Sequence, residues 1–574
     1  MRLLETIASA IPQVREFVGS QIPPYAILSH TWDQDEVTLQ QLLTANLSEL
    51  QTKAGFQKIQ QMCALTRTRD GLEHAWVDTC CIDKTSSAEL SEAINSMFSW
   101  YRDAKVCYVF LADLPPNSAD DLGLYLPRCR WFKRGWTLQE LLAPREVLFF
   151  DREWNYRGNV RELARLVSET TGIPRRLLRR EAELSDFAVA RRMSWAAARE
   201  TTRVEDMAYC LLGIFDVNLS LIYGEGTKAF SRLQEAIIQS TADLSIFAWK
   251  GHRDSAPLFT GILADSPAQF AWCRSIDSTP GDSTYTNFTM TTRGIQTDAS
   301  LILDYSKRGV SPYGRSPNVI FDTCCRMEGL LVGIRVRKVA GGLYARCQPD
   351  KVFMSATYRN QLMRMPLDML TFAIRLPERF PFHPGPDPVV GNRYSAIRIN
   401  LPQSLADPRA YAMPRSHWDE EQEVFFACND YTKGWCVSFI QGWLPLNASP
   451  SPSRLYVRFL VGCFGCNTGP SYIVLGSMEA MSPETSTLLR SQLDRLKLEN
   501  HRQARELVMG TFHTNLKEGP PLPADFGSLM YLTSSVGWSR LRSDLRIDLS
   551  IRKESQPSIC VNPTMVIDIT CALP

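Results

Sequence analysis

At 574 residues, with 44% hydrophobic and 22% charged residues, the chain has the composition of a globular protein of two to four domains. The net charge of +2 argues against a dedicated nucleic-acid-binding protein, and 16 cysteines in so long a chain do not indicate a disulfide scaffold. No apolar run reaches the roughly 18 residues that a membrane helix needs, so we expect a cytoplasmic protein without a membrane segment.

The first 70 residues predict one strand followed by two helices. Residues 25–29 form a short, mostly apolar run after two prolines, which indicates a strand that leads into the sequence Ser-His-Thr-Trp. Residues 37–50 are polar and compatible with a helix. A second helix is predicted over about residues 53–67, because four apolar residues recur on one side of it: Phe56, Ile59, Met62 and Cys63.

Residues 75–113 have the pattern of a strand, a helix and a second strand. Strands are predicted at 75–79 and 106–111, and Ser86 and Glu89 fit a capping box at the start of the helix between them. Six apolar residues of that helix recur at helical spacing: Leu90, Ala93, Ile94, Met97, Phe98 and Tyr101. Two strands joined by a helix in so few residues predict a βαβ unit whose strands are parallel and buried on both faces.

A helix within residues 130–142 and a strand at 146–150 follow, so that strands alternate with helices over about residues 20–155. This alternation predicts an α/β fold with a doubly wound parallel sheet and helices on both of its faces. Ligands of such sheets bind beyond the carboxyl ends of the strands. We therefore expect residues 29–32 and the loop at 79–87 to border a functional pocket together.

The remainder of the chain divides into a helical part and a β-rich part. Helical patterns over 156–250 place the first domain at 1–155 and a helical region at 156–250. Residues 251–574 carry short β-prone segments separated by turns at Gly, Pro and Asn, which is typical of a β-sandwich or barrel, or of two such units. One helix, at about 483–508, is predicted within them.

Three sequence blocks resemble a known family. Residues 25–32 (YAILSHTW), 76–113 and 130–144, in this order and spacing, resemble the fungal heterokaryon-incompatibility (HET) domain, and 191–235 resemble the helical region that commonly follows it. The resemblance covers roughly residues 1–250. It implies a role in fungal non-self recognition, in which the family triggers programmed cell death after unlike cells fuse. It also raises two expectations about partners, which are self-association through the HET domain and a protein trigger that the sequence does not identify.

A more distant resemblance bears on chemistry. The strand–loop–helix–strand order over 75–113 looks like Toll/interleukin-1-receptor (TIR) domains, and residues 136–141 (WTLQEL) resemble their W-x-x-x-E-L helix. TIR enzymes need that glutamate, here Glu140, to cleave the nicotinamide–ribose bond of NAD. The resemblance thus implies NAD as a substrate, no bound cofactor, and a Glu140 carboxylate that stabilises positive charge on the ribose. The structural alternative is a solvated Glu140 that pairs with Lys133 or Arg134.

The other candidate site residues come mainly from the ends of the first two strands. We assign six residues to substrate binding: Ser29, His30, Trp32, Asp78, Asp83 and Trp136. Capping of turns is the structural alternative for Ser29 and His30, and it is the default for Asp78 and Asp83. A Cys–His hydrolase also stays open, with His30 as the base and one of the two cysteines at 80–81 as the nucleophile.

Three further motifs are interpreted as structural. Residues 224–229 (GEGTKA) match a dinucleotide-binding fingerprint but lack a preceding strand, so we interpret them as a helix-to-helix turn. Cys463 and Cys466 have metal-ligand spacing, but no second pair follows at ligand distance, so no metal site is predicted. The arginine pairs at 175–176 and 179–180 predict a solvated face.

Two classes of function therefore stay open. In one, the protein is a cell-death effector whose α/β domain hydrolyses NAD. In the other, that domain is a non-enzymatic signalling module that recruits partners through its helices. Glu140 distinguishes the two, because the enzyme needs its carboxylate whereas the signalling module needs only its surface.

Overall fold

In the computed structural model of the chain, the described residues are 1–6, 11–116, 122–251 and 259–278, followed beyond residue 287 by segments that are mostly β-strands. A seven-stranded sheet forms the centre of the N-terminal part. Its strands are β1 (Arg2–Glu5), β2 (Val14–Glu16), β3 (Tyr25–His30), β4 (His74–Trp76), β5 (Val106–Phe110), β6 (Val147–Phe150) and β7 (Tyr156–Asn159).

The lateral order of this sheet is β2-β1-β4-β3-β5-β6-β7. The four inner strands are parallel to one another. β1, β2 and β7 pair antiparallel at the two edges. The predicted α/β fold with parallel strands is therefore confirmed for this part of the chain, and the two antiparallel edges were not predicted.

One strand prediction is wrong at its end. The strand predicted at 75–79 stops at Trp76, and Asp78–Cys81 form a short helix. The backbone N–H of Cys81 donates to Val77 O at 2.8 Å, which closes this turn. Both cysteines are buried. A short apolar run fits a buried strand and a buried helical turn equally well, so the pattern could not distinguish them.

The helices of the described residues fall between and after these strands. They are α1 (Leu39–Thr44), α2 (Leu47–Gln51), α3 (Ala54–Asp70), α4 (Asp78–Cys81), α5 (Ser87–Asp103), α6 (Leu122–Tyr125), α7 (Thr137–Leu142), α8 (Ala164–Thr171), α9 (Arg175–Leu178), α10 (Val189–Ser194), α11 (Asp206–Tyr209), α12 (Leu212–Phe215) and α13 (Lys228–Ser240). α3 connects β3 to β4, α5 connects β4 to β5, and α7 precedes β6. None of the described helices has the length and apolar character needed to cross a bilayer.

α5 forms where its apolar spacing predicted it. Four of its six predicted apolar positions are buried, and Ser86 caps its start by accepting the backbone N–H of Glu89 at 3.3 Å. The capping box is only half formed, because the Glu89 carboxylate accepts the backbone N–H of Asp83 instead, at 2.8 Å. Glu89 thereby ties the start of α5 to the preceding loop.

The helical region packs closely against the α/β part. A Cβ on Gly213 in α12 would overlap the Phe98 side chain of α5, so this contact requires glycine. Asn95 of α5 bonds both the N–H and the carbonyl of Leu219. The main cluster of buried apolar residues is contiguous in space and has members from Leu3 to Tyr344. The domain boundaries at 155 and 250 stay predictions.

Beyond residue 251 the described elements are largely strands. The first eleven form one sheet: β8 (Phe259–Thr260), β9 (Ile276–Ser278), β10 (Phe288–Thr291), β11 (Gly294–Thr297), β12 (Leu301–Asp304), β13 (Asn318–Met327), β14 (Leu330–Ala340), β15 (Leu343–Cys347), β16 (Phe353–Ser355), β17 (Met363–Arg364) and β18 (Leu370–Phe372). Arg346 of β15 fixes this sheet to the helical region. It is fully buried, donates to Phe247 O at 2.9 Å and to Trp249 O, and lies over the Trp249 ring.

Two further sheets follow, of five and six strands. Their strands are β19 (Ala396–Asn400), β20 (Tyr411–Met413), β21 (Trp418–Asp419), β22 (Val424–Phe426), β23 (Trp435–Leu446), β24 (Leu455–Cys466), β25 (Tyr472–Ser477), β26 (Asn515–Glu518), β27 (Ser528–Thr533), β28 (Arg546–Glu554) and β29 (Thr564–Ala572). Sandwich or barrel architecture stays a prediction. The predicted helix at 483–508 and the predictions about the Cys463 and Cys466 side chains lie outside the described residues.

Candidate functional site

The polar end of β3 lies inside the protein. β3 is buried along its whole length, although its last two residues are Ser29 and His30. Buried polar groups need hydrogen-bond partners, because an unpaired one loses its hydration without compensation. Each of the two side chains belongs to a separate network. One network contains Glu140, and the other contains Asp78.

The first network holds the Glu140 carboxyl. The indole N–H of Trp131 donates to Ser29 Oγ at 2.7 Å, and the Ser29 hydroxyl donates to Glu140 Oε2 at 2.5 Å. The Tyr101 hydroxyl donates to Leu28 O at 2.9 Å and also interacts with the Glu140 carboxyl. Glu140 is only 7% exposed. Its carboxyl therefore lies against the carboxyl end of β3, enclosed by protein groups.

The structural alternative for Glu140, a solvated side chain, is wrong. No ion pair of Glu140 with Lys133 or Arg134 occurs in the described structure, and the side chain points into the core. Burial raises the pKa of Glu140 to about 8; the hydrogen bond from Ser29 opposes this rise and the negative charge of Asp78 adds to it. Glu140 is thus mostly protonated at neutral pH, and it ionises near the pH at which enzymes work.

The second network holds the Asp78 carboxylate. His30 Nε2 lies 3.0 Å from Asp78 Oδ1, and the indole N–H of Trp32 donates to Asp78 Oδ2 at 2.8 Å. Burial disfavours the charge of this carboxylate, but the hydrogen bonds from His30 and Trp32 and the charge of Lys84 bring the pKa of Asp78 down to about 2. Asp78 is therefore ionised at any physiological pH.

The two carboxyl groups thus differ in protonation. The one on α7 is neutral at pH 7, the one on α4 is negative, and the negative charge of Asp78 helps to raise the pKa of Glu140. Pairs of titratable groups whose surroundings move their pKa values apart are typical of acid–base catalysis. Such a pair can bind sugar hydroxyls, stabilise a developing positive charge and accept a proton from water.

An exposed rim lies beside the two networks. Trp32 is 41% exposed, and Lys84 Nζ sits 3.4 Å from the centre of its ring. Arg130 bridges the other side, since its guanidinium bonds Asp33 at 2.9 Å and its backbone N–H donates to Asp113 at 2.8 Å. The contact between Trp32 and Lys84 confirms that residues 29–32 and the loop at 79–87 lie side by side.

Two of the assigned substrate-binding residues do not join either network. Asp83 accepts hydrogen bonds from Gln40 at 2.6 Å and from the N–H and hydroxyl of Thr85, so it stabilises its own loop, as its structural alternative predicted. Trp136 hydrogen-bonds Asp206 of the helical region. Substrate-binding roles for the six residues stay predictions.

The structure does not favour a Cys–His hydrolase. Cys80 and Cys81 are buried, and a hydrogen bond between them, with burial, raises the pKa of Cys80 well above its usual value. His30 is bonded to Asp78 rather than to either thiol. Among the described residues, no group of three or more His, Cys, Asp or Glu side chains is arranged to hold a metal ion.

Three contributors to the networks were missed by the sequence reasoning: Lys58, Tyr101 and Trp131. Lys58 Nζ lies 2.9 Å from His30 Nδ1 and 2.5 Å from Glu36 Oε1. A signal for it existed. Lys58 precedes Met62 and Thr66 by four and eight residues, which places it on a buried face of α3.

Two arginines of the helical region donate hydrogen bonds to the two ends of α7. Near its start, Arg199 Nη1 donates to Arg134 O at 2.8 Å and to Thr137 Oγ1 at 2.9 Å. Beyond its end, Arg180 donates to Leu142 O at 2.7 Å and to Pro144 O. Arg180 was predicted to be solvated, and this is wrong: it is half-buried, because the last carbonyls of a helix attract a cation. We call Arg180 and Arg199 the arginine clamp.

Comparison with known proteins finds a family match for part of the chain. Residues 25–123 match the family model described as "Heterokaryon incompatibility protein (HET)", and residues 228–260 match a domain of unknown function, DUF8212. The chain is similar to the "Vegetative incompatibility protein HET-E-1" of Podospora anserina, with 51% identity over 246 residues. The similarity covers 41% of this chain and 18% of that relative, so the chain spans less than a fifth of the relative's length. No solved structure matches the chain significantly.

Proposed function

Because this chain carries a HET domain, we propose that it acts in vegetative incompatibility and that its α/β part cleaves the nicotinamide–ribose bond of NAD. The observation that carries the enzymatic proposal is a pair of carboxyl groups near the carboxyl ends of β3 and β4, of which Glu140 is buried and mostly protonated at neutral pH while Asp78 is partly exposed and ionised. Killing of the cell would follow from loss of NAD. The TIR-like winding of the sheet is part of this proposal, and the parallel order β4-β3-β5-β6 supports it.

The proposed reaction assigns a role to each network. NAD brings a positively charged nicotinamide ring, and a cation beside Glu140 favours release of the Glu140 proton to solvent, which is the net proton of the reaction. The C1′–N bond then breaks and its electron pair passes to the nicotinamide nitrogen. The Glu140 and Asp78 carboxylates stabilise the oxocarbenium-like ribose, and Ser29 exchanges its bond to Glu140 for one to a ribose hydroxyl. Water adds to C1′, and its proton passes to Glu140.

The exposed rim suits the remainder of such a substrate. The Trp32 ring is held by Asp78 on its edge and by Lys84 on one face, and it offers aromatic surface on which a base can stack. Lys84 and Arg130 place positive charge on the two sides of the rim, where a pyrophosphate would lie.

A non-enzymatic signalling module is the second candidate, and one observation favours it. Glu140 is almost completely enclosed, and its carboxyl already has protein partners in Ser29 and Tyr101. In this second candidate the role of the network is purely structural: it fixes α7 against β3. The domain would then act through its outer helices, and no substrate would reach the carboxyl.

The test compares the full-length protein with Glu140→Gln. Wild type should convert NAD to nicotinamide and ADP-ribose, and chromatography of the products measures the rate. The turnover of Glu140→Gln should be at least about 100-fold lower, because the variant lacks the negative charge of the carboxylate. Glu92→Gln, on an exposed position of α5, is the matched control and should retain full activity. If Glu140→Gln turns over NAD like wild type, the catalytic role of Glu140 is wrong. If folded wild type leaves NAD intact, the protein is not the proposed enzyme, and the signalling module takes its place.

A further inference from the structure

We propose that Lys58 is a positioning residue: its ammonium group fixes His30 as the Nε2–H tautomer, and His30 in turn orients the Asp78 carboxylate. Lys58 lies on α3 and Asp78 on α4, and the His30 ring contacts Lys58 through one nitrogen and Asp78 through the other. It is only 7% exposed, which is rare for a lysine that has no structural or functional task.

The tautomer follows from what each group can donate. An ammonium group has three N–H donors and no acceptor. The ammonium group of Lys58 donates one hydrogen bond to Glu36 Oε1 at 2.5 Å. Lys58 Nζ is also 2.9 Å from His30 Nδ1, so Nδ1 must accept a proton donated by lysine. The single proton of a neutral imidazole ring then resides on Nε2.

This tautomer also suits Asp78, which lies on the other side of the His30 ring. Nε2 faces Asp78 Oδ1 at 3.0 Å, and an ionised carboxylate can only accept hydrogen bonds. With the proton on Nδ1 instead, two lone pairs would face each other across that distance. Asp78 would lose one of its two side-chain partners, and its other partner, Trp32, would lose a fixed acceptor at 2.8 Å. Lys58 thus acts on Asp78 and on the exposed Trp32 through His30.

The position of Glu36 predicts what happens to the His30 ring when Lys58 is removed. Its Oε1 is 3.6 Å from His30 Nδ1 and is bonded to the lysine that lies against the same nitrogen. Without the ammonium group, this carboxylate becomes the nearest partner of Nδ1 and attracts a proton onto it. The ring then carries a proton on Nδ1, either as the other tautomer or as imidazolium between Glu36 and Asp78.

The first experiment reads the tautomer directly. The chain has seven histidines, so ¹⁵N-histidine labelling of the full-length protein gives few signals, and the His30→Gln spectrum identifies those of His30. Wild type should show an unprotonated Nδ1 and a protonated Nε2 at neutral pH. Lys58→Met should show a proton on Nδ1, whereas Lys58→Arg, which keeps a donor, and Lys105→Met, which removes an exposed lysine, should retain the wild-type pattern.

The second experiment measures the effect on the proposed reaction and rests on the proposed function. Lys58→Met should lower kcat on NAD by about 10- to 100-fold, because displacement of a positioned group by about 1 Å has an effect of this size. Lys58→Arg should restore most of the loss. A protonated Nδ1 in wild type, or an unchanged His30 signal in Lys58→Met, would overturn the positioning role. If NAD is not a substrate at all, the wild-type spectrum still decides the tautomer, and it does so even if Lys58→Met fails to fold.

Discussion

α7 is held in two different ways: through a side chain that can titrate, and through main-chain carbonyls that cannot. Along its length, it carries Glu140, whose carboxyl contacts the Ser29 and Tyr101 side chains and is influenced by the charge of Asp78. At its two ends, the arginine clamp binds mainly main-chain carbonyls, which keep the same dipole at every pH. Both regions bury polar groups, but only the first can change its protonation state in response to a ligand.

The clamp also explains why the helical region accompanies the α/β domain. Arg180 and Arg199 come from that region, and both reach the helix that carries Glu140. Glu200 reinforces the connection, since its N–H donates to Lys133 O at 2.6 Å and its carbonyl accepts the Gly135 N–H at 2.8 Å. The position of Glu140 therefore depends on residues far outside the range that matches the HET family model.

The largest effect on stability is expected at the clamp. Arg199→Ala removes a buried guanidinium and leaves Arg134 O and Thr137 Oγ1 without this donor. We expect a loss of roughly 2–4 kcal/mol in the free energy of unfolding, visible as a lower Tm of the full-length protein. Arg179→Ala changes an exposed arginine of the same region and should alter stability by less than about 0.5 kcal/mol. Equal Tm values for the two variants would contradict the clamp.

A smaller, pH-dependent effect is expected at Glu140. Its pKa in the folded protein, about 8, lies above the ordinary value of 4.5, so the folded state binds more protons between these values. The contribution of Glu140 to stability is thus fully present below about pH 4.5 and is lost as the pH rises through about 8. Glu140→Gln cannot ionise, so wild type should lose at least about 1 kcal/mol relative to it between about pH 5 and about pH 8.

Unfolding curves of both proteins across this pH range measure the difference. A constant difference between wild type and Glu140→Gln would show that Glu140 titrates normally, as a solvated glutamate would. Glu92→Gln, which alters an exposed carboxylate, should show no such pH dependence.

Much of the α/β fold could be predicted because its strands are short apolar runs. β3, β5 and β6 lie within one residue of their predicted ranges, and α5 forms where its apolar spacing indicated. The edge strands β1 and β2 escaped prediction. β1 pairs with β4 and β2 pairs with β1, each over few residues, and such pairing has no signal in local sequence.

The site could be predicted only in part. The placement of His30 beside Asp78 could be predicted because polar residues that follow buried strands gather at one edge of a parallel sheet. The burial of Glu140 was missed, since a Gln-Glu pair in a short helix looks exposed until the contacts of both helix faces are known. Lys58 was missed for a related reason: its neighbours in space come from α3, β3 and the turn at Glu36, which are separate in sequence.

The most direct test of the central claim is the protonation state of Glu140 itself. Infrared difference spectra between wild type and Glu140→Gln isolate the carboxyl signal of this one residue. At about pH 6.5 the spectrum should contain the carbonyl band of a neutral carboxylic acid, and this band should convert to a carboxylate signal as the pH passes about 8. A carboxylate signal already complete at about pH 6.5 would contradict the account, because Asp78 and Glu140 would then share the same charge and the proposed pair would not exist.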